Sequence, residues 1–422
     1  MNKSYALIFA ALAAFQSTTT SAADWSQWRG AARDGIASGE PKLDGLPVKS
    51  EAAWSLQTGK GQAGMVTANG KLVILHEVDG KEALRVVELQ NGKQVWETAI
   101  GDSWNFTNEF GPGPRCTPLI DGDLIFVQTA KGVLACVQLK DGKILWSTDY
   151  DKNFGAKFFG GNIPGSEGTA ARRHGNNGSP VVDDKWIYAP VGSPDGASLV
   201  AFDKRTGKVQ WKSGTDNAAY ASLMLATIAG EAQVILVTAD RLIGSRCADG
   251  KILWDTPVKT GAQRNVVTPI VVGDTVTIAS QTVGLVQYRV SKEGEKFQVA
   301  EVWANKQLKI NLTTPVLLAG HLYGLGSSKG NSSDFVCVNF GSGQVLWTKP
   351  GFTDYSSVIG VGDRLLVHNS SGELYLLRAS PEKYDELGRL QVCGRTWSFP
   401  AYSGGRLIVK DARQTISVPL IK

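Results

Sequence analysis

The residues best suited to chemistry in this 422-residue chain are arginines and amides placed just ahead of recurring Thr-Pro and Ser-Pro pairs. Arg115 precedes Cys116-Thr117-Pro118, and Asn176 and Asn177 precede Ser179-Pro180. Arg264 and Asn265 precede Thr268-Pro269, and Lys309 and Asn311 precede Thr314-Pro315. Arg172, Arg173 and His174 add cationic character, and Trp104 and Asn105 lie in a long segment that ends at Arg115. Guanidinium and amide groups converging on one mouth suit an anionic ligand or the acidic segment of a protein partner. Other chemistries find no support. His76, His174, His321 and His368 lack metal-ligand spacing. There is neither a Walker-type phosphate loop nor a G-x-S-x-G nucleophile elbow. Asp121, Asp184, Asp274 and Asp363 fall in tight turns, where Asp is favoured for backbone reasons. No catalytic residue is singled out and no metal is expected.

These side chains need a scaffold that brings distant segments to one place, and a repeat supplies it. A turn with Gly, usually followed by Lys, leads within a few residues to Trp. It recurs as NGKQVW ending at Trp96, DGKILW at Trp146, TGKVQW at Trp211, DGKILW at Trp254 and SGQVLW at Trp347. Degenerate copies end at Trp303 and Trp397, and an isolated Trp strand holds Trp54. The seven intervals between Trp54 and Trp397 average 49 residues. Each interval also carries four strand signals, and in four intervals a Thr-Pro or Ser-Pro, at Thr117, Ser179, Thr268 and Thr314, opens a pair of short apolar strands around a Gly/Asp turn before a third strand. Four antiparallel strands per repeat of this length predict a β-propeller, because one four-stranded sheet cannot cover both its faces and neighbouring blades must do so. Three strands follow Trp397, so the Trp54 strand is expected to complete the last blade. The expected fold is all-β, an eight-bladed propeller closed by pairing the two chain ends. Trp54, Trp96, Trp146, Trp211, Trp254, Trp303, Trp347 and Trp397 are expected to be structural, each filling the wedge between blades.

The domain reading is 1–23 signal peptide, 24–49 N-terminal arm and 50–422 propeller. Lys3, the apolar run Tyr5–Phe15 and the small residues before Asp24 predict export to the periplasm or the extracellular space, with cleavage near Ala23. No later stretch has the length and apolarity of a membrane span. A formal charge of +5 spread over the chain, without clustering, argues against nucleic-acid binding. Five cysteines without a close pair argue against a disulfide framework. The chain is expected to be a monomer. Two long connections, Ser103–Arg115 and Asn153–Gly178, enter the second and third blades, and loops of this length are commonly functional.

The phrase AFDKRTGKVQW, Ala201–Trp211, resembles the tryptophan-docking motif of the pyrroloquinoline quinone (PQQ) repeat propellers, and the resemblance covers nearly all of the chain after about residue 50. The family includes quinoprotein dehydrogenases that bind PQQ and calcium over the propeller axis. It also includes the BamB scaffold lipoprotein, which has no cofactor. The opening Asp24–Gly35, DWSQWRGAARDG, is similar to the start of exported single-propeller members. Two departures stand out: the adjacent cysteine pair of the quinoprotein alcohol dehydrogenases is missing, and so is the lipid-anchor cysteine of BamB. The resemblance therefore implies a binding or scaffold protein without a redox cofactor. The alternative is a PQQ- and calcium-dependent dehydrogenase of an alcohol or sugar, in which an Asp or Glu acts as base.

Overall fold

The computed structural model describes residues 24–104, 111–156, 174–260, 264–330 and 332–421. Its strands form eight four-stranded antiparallel sheets in sequence order around a ring. Blades 1 to 7 are each built from four consecutive strands, beginning at Val66, Leu119, Val181, Met224, Ile270, Val316 and Ser356. Blade 8 takes Ala401–Ser403, Arg406–Lys410 and Gln414–Pro419 from the C-terminal end and Trp54–Gln57 from the N-terminal end. Trp54 lies opposite Ser417 and Gln57 opposite Gln414, so the ring closes by main-chain pairing of the two ends. The only helix among the described residues is the single turn Tyr150–Phe154, capped by Asp149.

The Pro-initiated strands have a local cause. The hydroxyls of Thr117, Ser179 and Thr314, each followed by Pro, and that of Ser222 accept a backbone N–H from the preceding blade, stitching inner strands together. The Gly64 amide donates to Thr117 Oγ1 at 3.2 Å and the Thr117 amide to Ser179 Oγ at 3.2 Å. The Ser179 amide donates to Ser222 Oγ at 3.0 Å, and that of Thr268 to Thr314 Oγ1 at 3.0 Å. Buried N–H groups near the axis would otherwise lack partners.

The outer strands are joined by indoles. Trp54, Trp96, Trp146, Trp211, Trp303 and Trp347 each donate Nε1–H to a carbonyl of the next blade, those of Leu89, Leu139, Lys204, Cys247, Phe340 and Ser380. Each accepting carbonyl follows a third strand, and all but that of Ser380 lie beside a Gly-bearing turn. At Gly207 both the positive φ of 71° and the Trp146 ring, 2.5 Å from where a Cβ would stand, require glycine. Trp254 instead donates to Gln233 Oε1 within its own blade. Small residues lie directly across from the rings, Cys136 opposite Trp146 and Cys337 opposite Trp347.

The expectation for Trp397 is corrected. The fourth strand of blade 7 is Asp385–Gln391, which carries no tryptophan, and Trp397 lies beyond it on the connection to blade 8. In that strand Arg389 stands opposite Tyr375 and packs its guanidinium over that ring, 4.9 Å from the centroid. The ring thus has eight blades but seven strands bearing the repeated tryptophan.

Asp24 to about Leu43 crosses the axis. Trp25 pairs with Thr67 of blade 1, and the Ile120 amide of blade 2 donates to Ser26 O. Arg33 donates to the Ser179 and Pro180 carbonyls of blade 3, at 3.2 and 2.9 Å. Arg29 donates to the Thr314 and Pro315 carbonyls of blade 6, at 2.6 and 2.8 Å. Trp28 donates to Thr268 Oγ1 of blade 5, Ala37 bonds Gly360 of blade 7, and Glu40 accepts from Gly404 and Gly405 of blade 8. Residues 1–23, with the expected signal peptide, lie outside the described residues.

Candidate functional site

The connections that enter the inner strands converge on one mouth of the axis and enclose a cavity of about 430 Å³. All eight blades contribute to its wall, from Gln62 ahead of blade 1 to Phe399 ahead of blade 8, and Trp28 of the arm provides its floor. Small-molecule sites commonly have volumes of about 300–1,000 Å³.

The wall is divided by chemistry. Blades 2 to 5 present Arg115, His174, Asn177, Tyr220 and Arg264. Blades 7 and 8 present Tyr355, Trp397 and Phe399, with Asp354 and the Ser356 and Ser357 hydroxyls beside them. Tyr355 and Trp397 stack almost parallel, at 5° and 5.2 Å between ring centroids, and the Trp397 amide is held by Gln62 Oε1 at 2.9 Å. Trp28 tilts against Phe399 with 5.0 Å between centroids, so floor and aromatic wall are continuous. Asn311, with Leu312, Thr313 and Thr314, forms the blade 6 segment between the two halves.

Burial tunes the charged groups. Desolvation lowers the Arg115 guanidinium to about 10, with Glu82 opposing the shift, so it stays protonated at neutral pH. Arg115 also donates to Gly111 O at 2.8 Å, which orients its side chain. Glu82 is fully buried between blades 1 and 2, where both carboxyl oxygens face the Ala130 amide, at 3.2 and 3.1 Å. Burial raises this carboxyl to about 8, against the lowering effects of the Ala130 amide, Arg115 and Lys131. Beneath the floor, burial lowers Arg29 to about 10 and Arg33 to about 9. All of these cations are retained at neutral pH, while Glu82 is largely neutral.

Of the residues expected at the mouth, Arg115, His174, Arg264 and Asn311 are brought together on the cavity wall. Asn265 is not: it is buried between strands, where Nδ2 reaches the Thr238, Ala239 and Val258 carbonyls. Asn176 is buried behind the wall, its amide N–H on Ala130 O. The Lys309 side chain is exposed away from the cavity, with its backbone amide on Ser327 Oγ. Trp104 stands under the Lys131 ammonium, 6.0 Å from the ring centroid, and does not line the cavity. Asn105, Arg172 and Arg173 lie outside the described residues. Among the described residues, the amide oxygens of Asn177 and Asn311 reach no hydrogen-bond partner. Tyr355, Asp354, Trp397 and Phe399 were not anticipated at the site. Blade 7 opens with Ser356-Ser357 in place of a Ser/Thr-Pro pair, so its entry carries no such marker.

The ring of eight blades, the inter-blade indoles and the axial cavity define a propeller of the PQQ-like repeat class. More particularly, the chain belongs to the family described as outer membrane protein assembly factor BamB, whose family model matches residues 80–331. Among solved structures it is similar to BamB from Moraxella catarrhalis, with 15% identity, a TM-score of 0.59, and coverage of 90% of this chain and 98% of that one. It is also similar to the quinohemoprotein alcohol dehydrogenase ADHIIG from Pseudomonas putida HK5, with 10% identity, a TM-score of 0.66, and coverage of 94% and 80%. At these identities the likeness is one of fold. A stretch of 116 residues is 29% identical to the 1-butanol dehydrogenase (cytochrome c) of Thauera butanivorans, covering 28% of this chain and 15% of that enzyme. The match therefore spans well under two thirds of that relative. No helix among the described residues is long and apolar enough to cross a membrane.

Proposed function

We propose that this chain is an exported binding protein whose axial cavity captures a small anionic ligand. The observation that carries the reading is the cavity wall, where the Arg115 and Arg264 guanidiniums share about 430 Å³ with an aromatic floor and side. That volume suits a small molecule better than a folded partner. A protein partner of the loop face is accommodated only through an acidic side chain or terminus entering the mouth. A scaffold role like that in the family description would leave the cavity as a docking point for such a segment.

The dehydrogenase reading draws support from the short stretch shared with the Thauera enzyme. The flat aromatic floor and the arginines would accept a planar tricarboxylate such as PQQ. The calcium that accompanies it in the quinoprotein dehydrogenases fits less well. Calcium takes about 6–8 oxygen ligands with carboxylates among them. Asp354 is the one carboxylate on the described wall, and no group of three His, Cys, Asp or Glu among the described residues could hold a metal.

Titration calorimetry with PQQ, with and without calcium, and with a panel of small carboxylates and their neutral counterparts tests the proposal. At least one carboxylate is expected to bind 1:1. Arg264→Gln is expected to weaken it roughly tenfold or more, the value of one charge-assisted hydrogen bond. No carboxylate binding at millimolar concentration overturns the proposal. Calcium-dependent PQQ binding with alcohol-dependent dye reduction replaces it with the dehydrogenase.

A further inference from the structure

Blade 7 lacks a docking tryptophan, and the strand register shows what stands in its place. In blades 1 to 6 each repeated tryptophan lies opposite a third-strand residue that immediately precedes a shift in register, as Cys136 does for Trp146 and Ala201 for Trp211. In blade 7 the same shift follows Leu376, and the residue opposite Leu376 is Gly388. Gly388 has ordinary strand backbone, so no turn requires a glycine there. The three atoms nearest to where its Cβ would stand all belong to Leu46 of the arm: Cδ1, Cβ and Cγ, at 3.8, 3.9 and 4.0 Å. The missing side chain thus makes room for one delivered from another part of the chain.

The topology of blade 8 accounts for the exchange. At five seams the indole rests on the glycine of the turn that leads into the fourth strand of the next blade, as Trp146 does on Gly207. In blade 8 the fourth strand, Trp54–Gln57, comes from the N-terminal side, so no turn joins it to the third strand, Gln414–Pro419. A tryptophan at position 388 would have no such glycine to rest on. We propose that residues 43–46 of the arm form a detachable strap that does the work of the absent tryptophan. Leu43 is buried, and its carbonyl accepts from Arg364 Nε of blade 7 at 3.0 Å. Leu46 packs, with Leu387 and Ile421, against the core shared by blades 7, 8 and 1. On the far side of blade 8, Trp54 donates to the Leu89 carbonyl of blade 1. Both outer seams of blade 8 are therefore closed by one N-terminal segment, residues 43–57, across a largely exposed stretch at 48–53. A blade whose two seams share one tether opens as a unit when the tether lifts, at a lower cost than unfolding the ring.

Hydrogen exchange read by mass spectrometry, on the chain from Asp24 to Lys422, tests the strap. In wild type the amides of Ala401–Ser403, Arg406–Lys410, Gln414–Pro419 and Trp54–Gln57 are expected to exchange together, through one opening more frequent than any in blades 2 to 5. Leu46→Ala is expected to speed exchange in those four strands roughly tenfold or more, the loss of a packed leucine side chain, and to change blades 2 to 5 less than about twofold. Leu46→Met conserves the volume and is expected to match wild type within a few-fold. Adding Gly388→Leu to Leu46→Ala refills the seam from the blade itself and is expected to recover most of the lost protection. An increase confined to the arm, an increase shared equally by all blades, no increase, or no recovery with Gly388→Leu overturns the strap.

Discussion

Glu82→Gln tests the electrostatics beside the cavity through stability. The carboxyl is fully buried and meets the Ala130 amide with both oxygens. Its folded-state value is raised from the ordinary 4.5 to about 8, chiefly by desolvation. The groups acting on it are the Ala130 amide, Arg115 and Lys131, which lower it, and Glu77, which raises it further. A raised value means that the folded chain holds a proton the unfolded chain has released. The associated stability is complete below about pH 4.5 and is lost as pH rises through about 8. At about 1.4 kcal/mol per pH unit, the loss between pH 5 and pH 7 is roughly 2–3 kcal/mol. A glutamine keeps an oxygen for the Ala130 amide and cannot ionise. Urea unfolding at pH 5, 6, 7 and 8 is the assay, read as the difference between wild type and variant so that other titrating groups cancel. The two proteins are expected to match near pH 5. The variant is expected to gain over wild type with each unit, and to be more stable by about 2 kcal/mol or more at pH 8. A difference that stays flat from pH 5 to pH 8 refutes the argument that Glu82 is protonated beside Arg115. The same titration reaches the cavity, because an ionised Glu82 partly neutralises Arg115. Carboxylate affinity should therefore weaken toward pH 8 in wild type and less so in the variant.

Three further outcomes follow from the geometry. Gly207→Ala places a Cβ 2.5 Å from the Trp146 ring at φ 71°, and is expected to cost about 2–5 kcal/mol by equilibrium unfolding. Trp146→Ala removes a ring packed between Phe126 and Phe202 and is expected to cost about 3–5 kcal/mol; Trp397→Ala is expected to cost only about 1 kcal/mol, the value of an aromatic pair, while reducing the ligand-induced fluorescence change to the part that Trp28 supplies. Burial pushes the thiols of Cys116, Cys136 and Cys393 up to about 12 and those of Cys247 and Cys337 to about 11, so native protein at pH 8 should resist iodoacetamide, and the denatured chain should take up five labels by mass spectrometry.

The ring was legible because its joints are chemically conspicuous. An indole that must reach a carbonyl of the next blade recurs at one strand position, and the glycine under it recurs at one turn. Blade 7 escaped that reading because it meets its neighbour without an indole. Arg389 over Tyr375 occupies the equivalent outer strand, and neither residue type is distinctive in a sequence. Trp397 then fell at the expected interval by coincidence of spacing, six residues past the strand it was assigned to. The cationic half of the site was legible for a related reason. Arg115, Arg264 and Asn311 precede hydroxyl-Pro pairs whose hydroxyls or amides stitch the inner strands, so their nearness to the axis follows from the motif. Asn265 has the same spacing but turns inward to three carbonyls, a choice that depends on neighbouring blades. The aromatic half enters through blades 7 and 8, where that marker is missing.

The arm adds two buried cations beside those of the cavity wall. Arg33 occupies the Ser179 and Pro180 carbonyls of blade 3, and Arg29 those of Thr314 and Pro315 in blade 6, so each guanidinium is held by the scaffold itself. Both adopt left-handed backbone, φ 61° for Arg29 and 59° for Arg33, which turns the arm tightly enough to send the two side chains to blades three positions apart. Their hydrogen-bond partners are neutral oxygens, and the Asp34 carboxylate beside Arg29 offsets only part of the charge. It acts through the Trp28 floor in a medium of low dielectric, where charges are screened less than in water. With Arg115 and Arg264 in the wall and Glu82 largely protonated, Asp354 is the described carboxylate that opposes them at the cavity. Among the described residues, cations therefore lie beneath the floor as well as in the wall. Arg33→Met should accordingly lower carboxylate affinity without touching the ligand, with a smaller loss than Arg264→Gln and a steeper dependence on chain stability; equal affinity in Arg33→Met and wild type would show that the buried guanidiniums serve the ring alone.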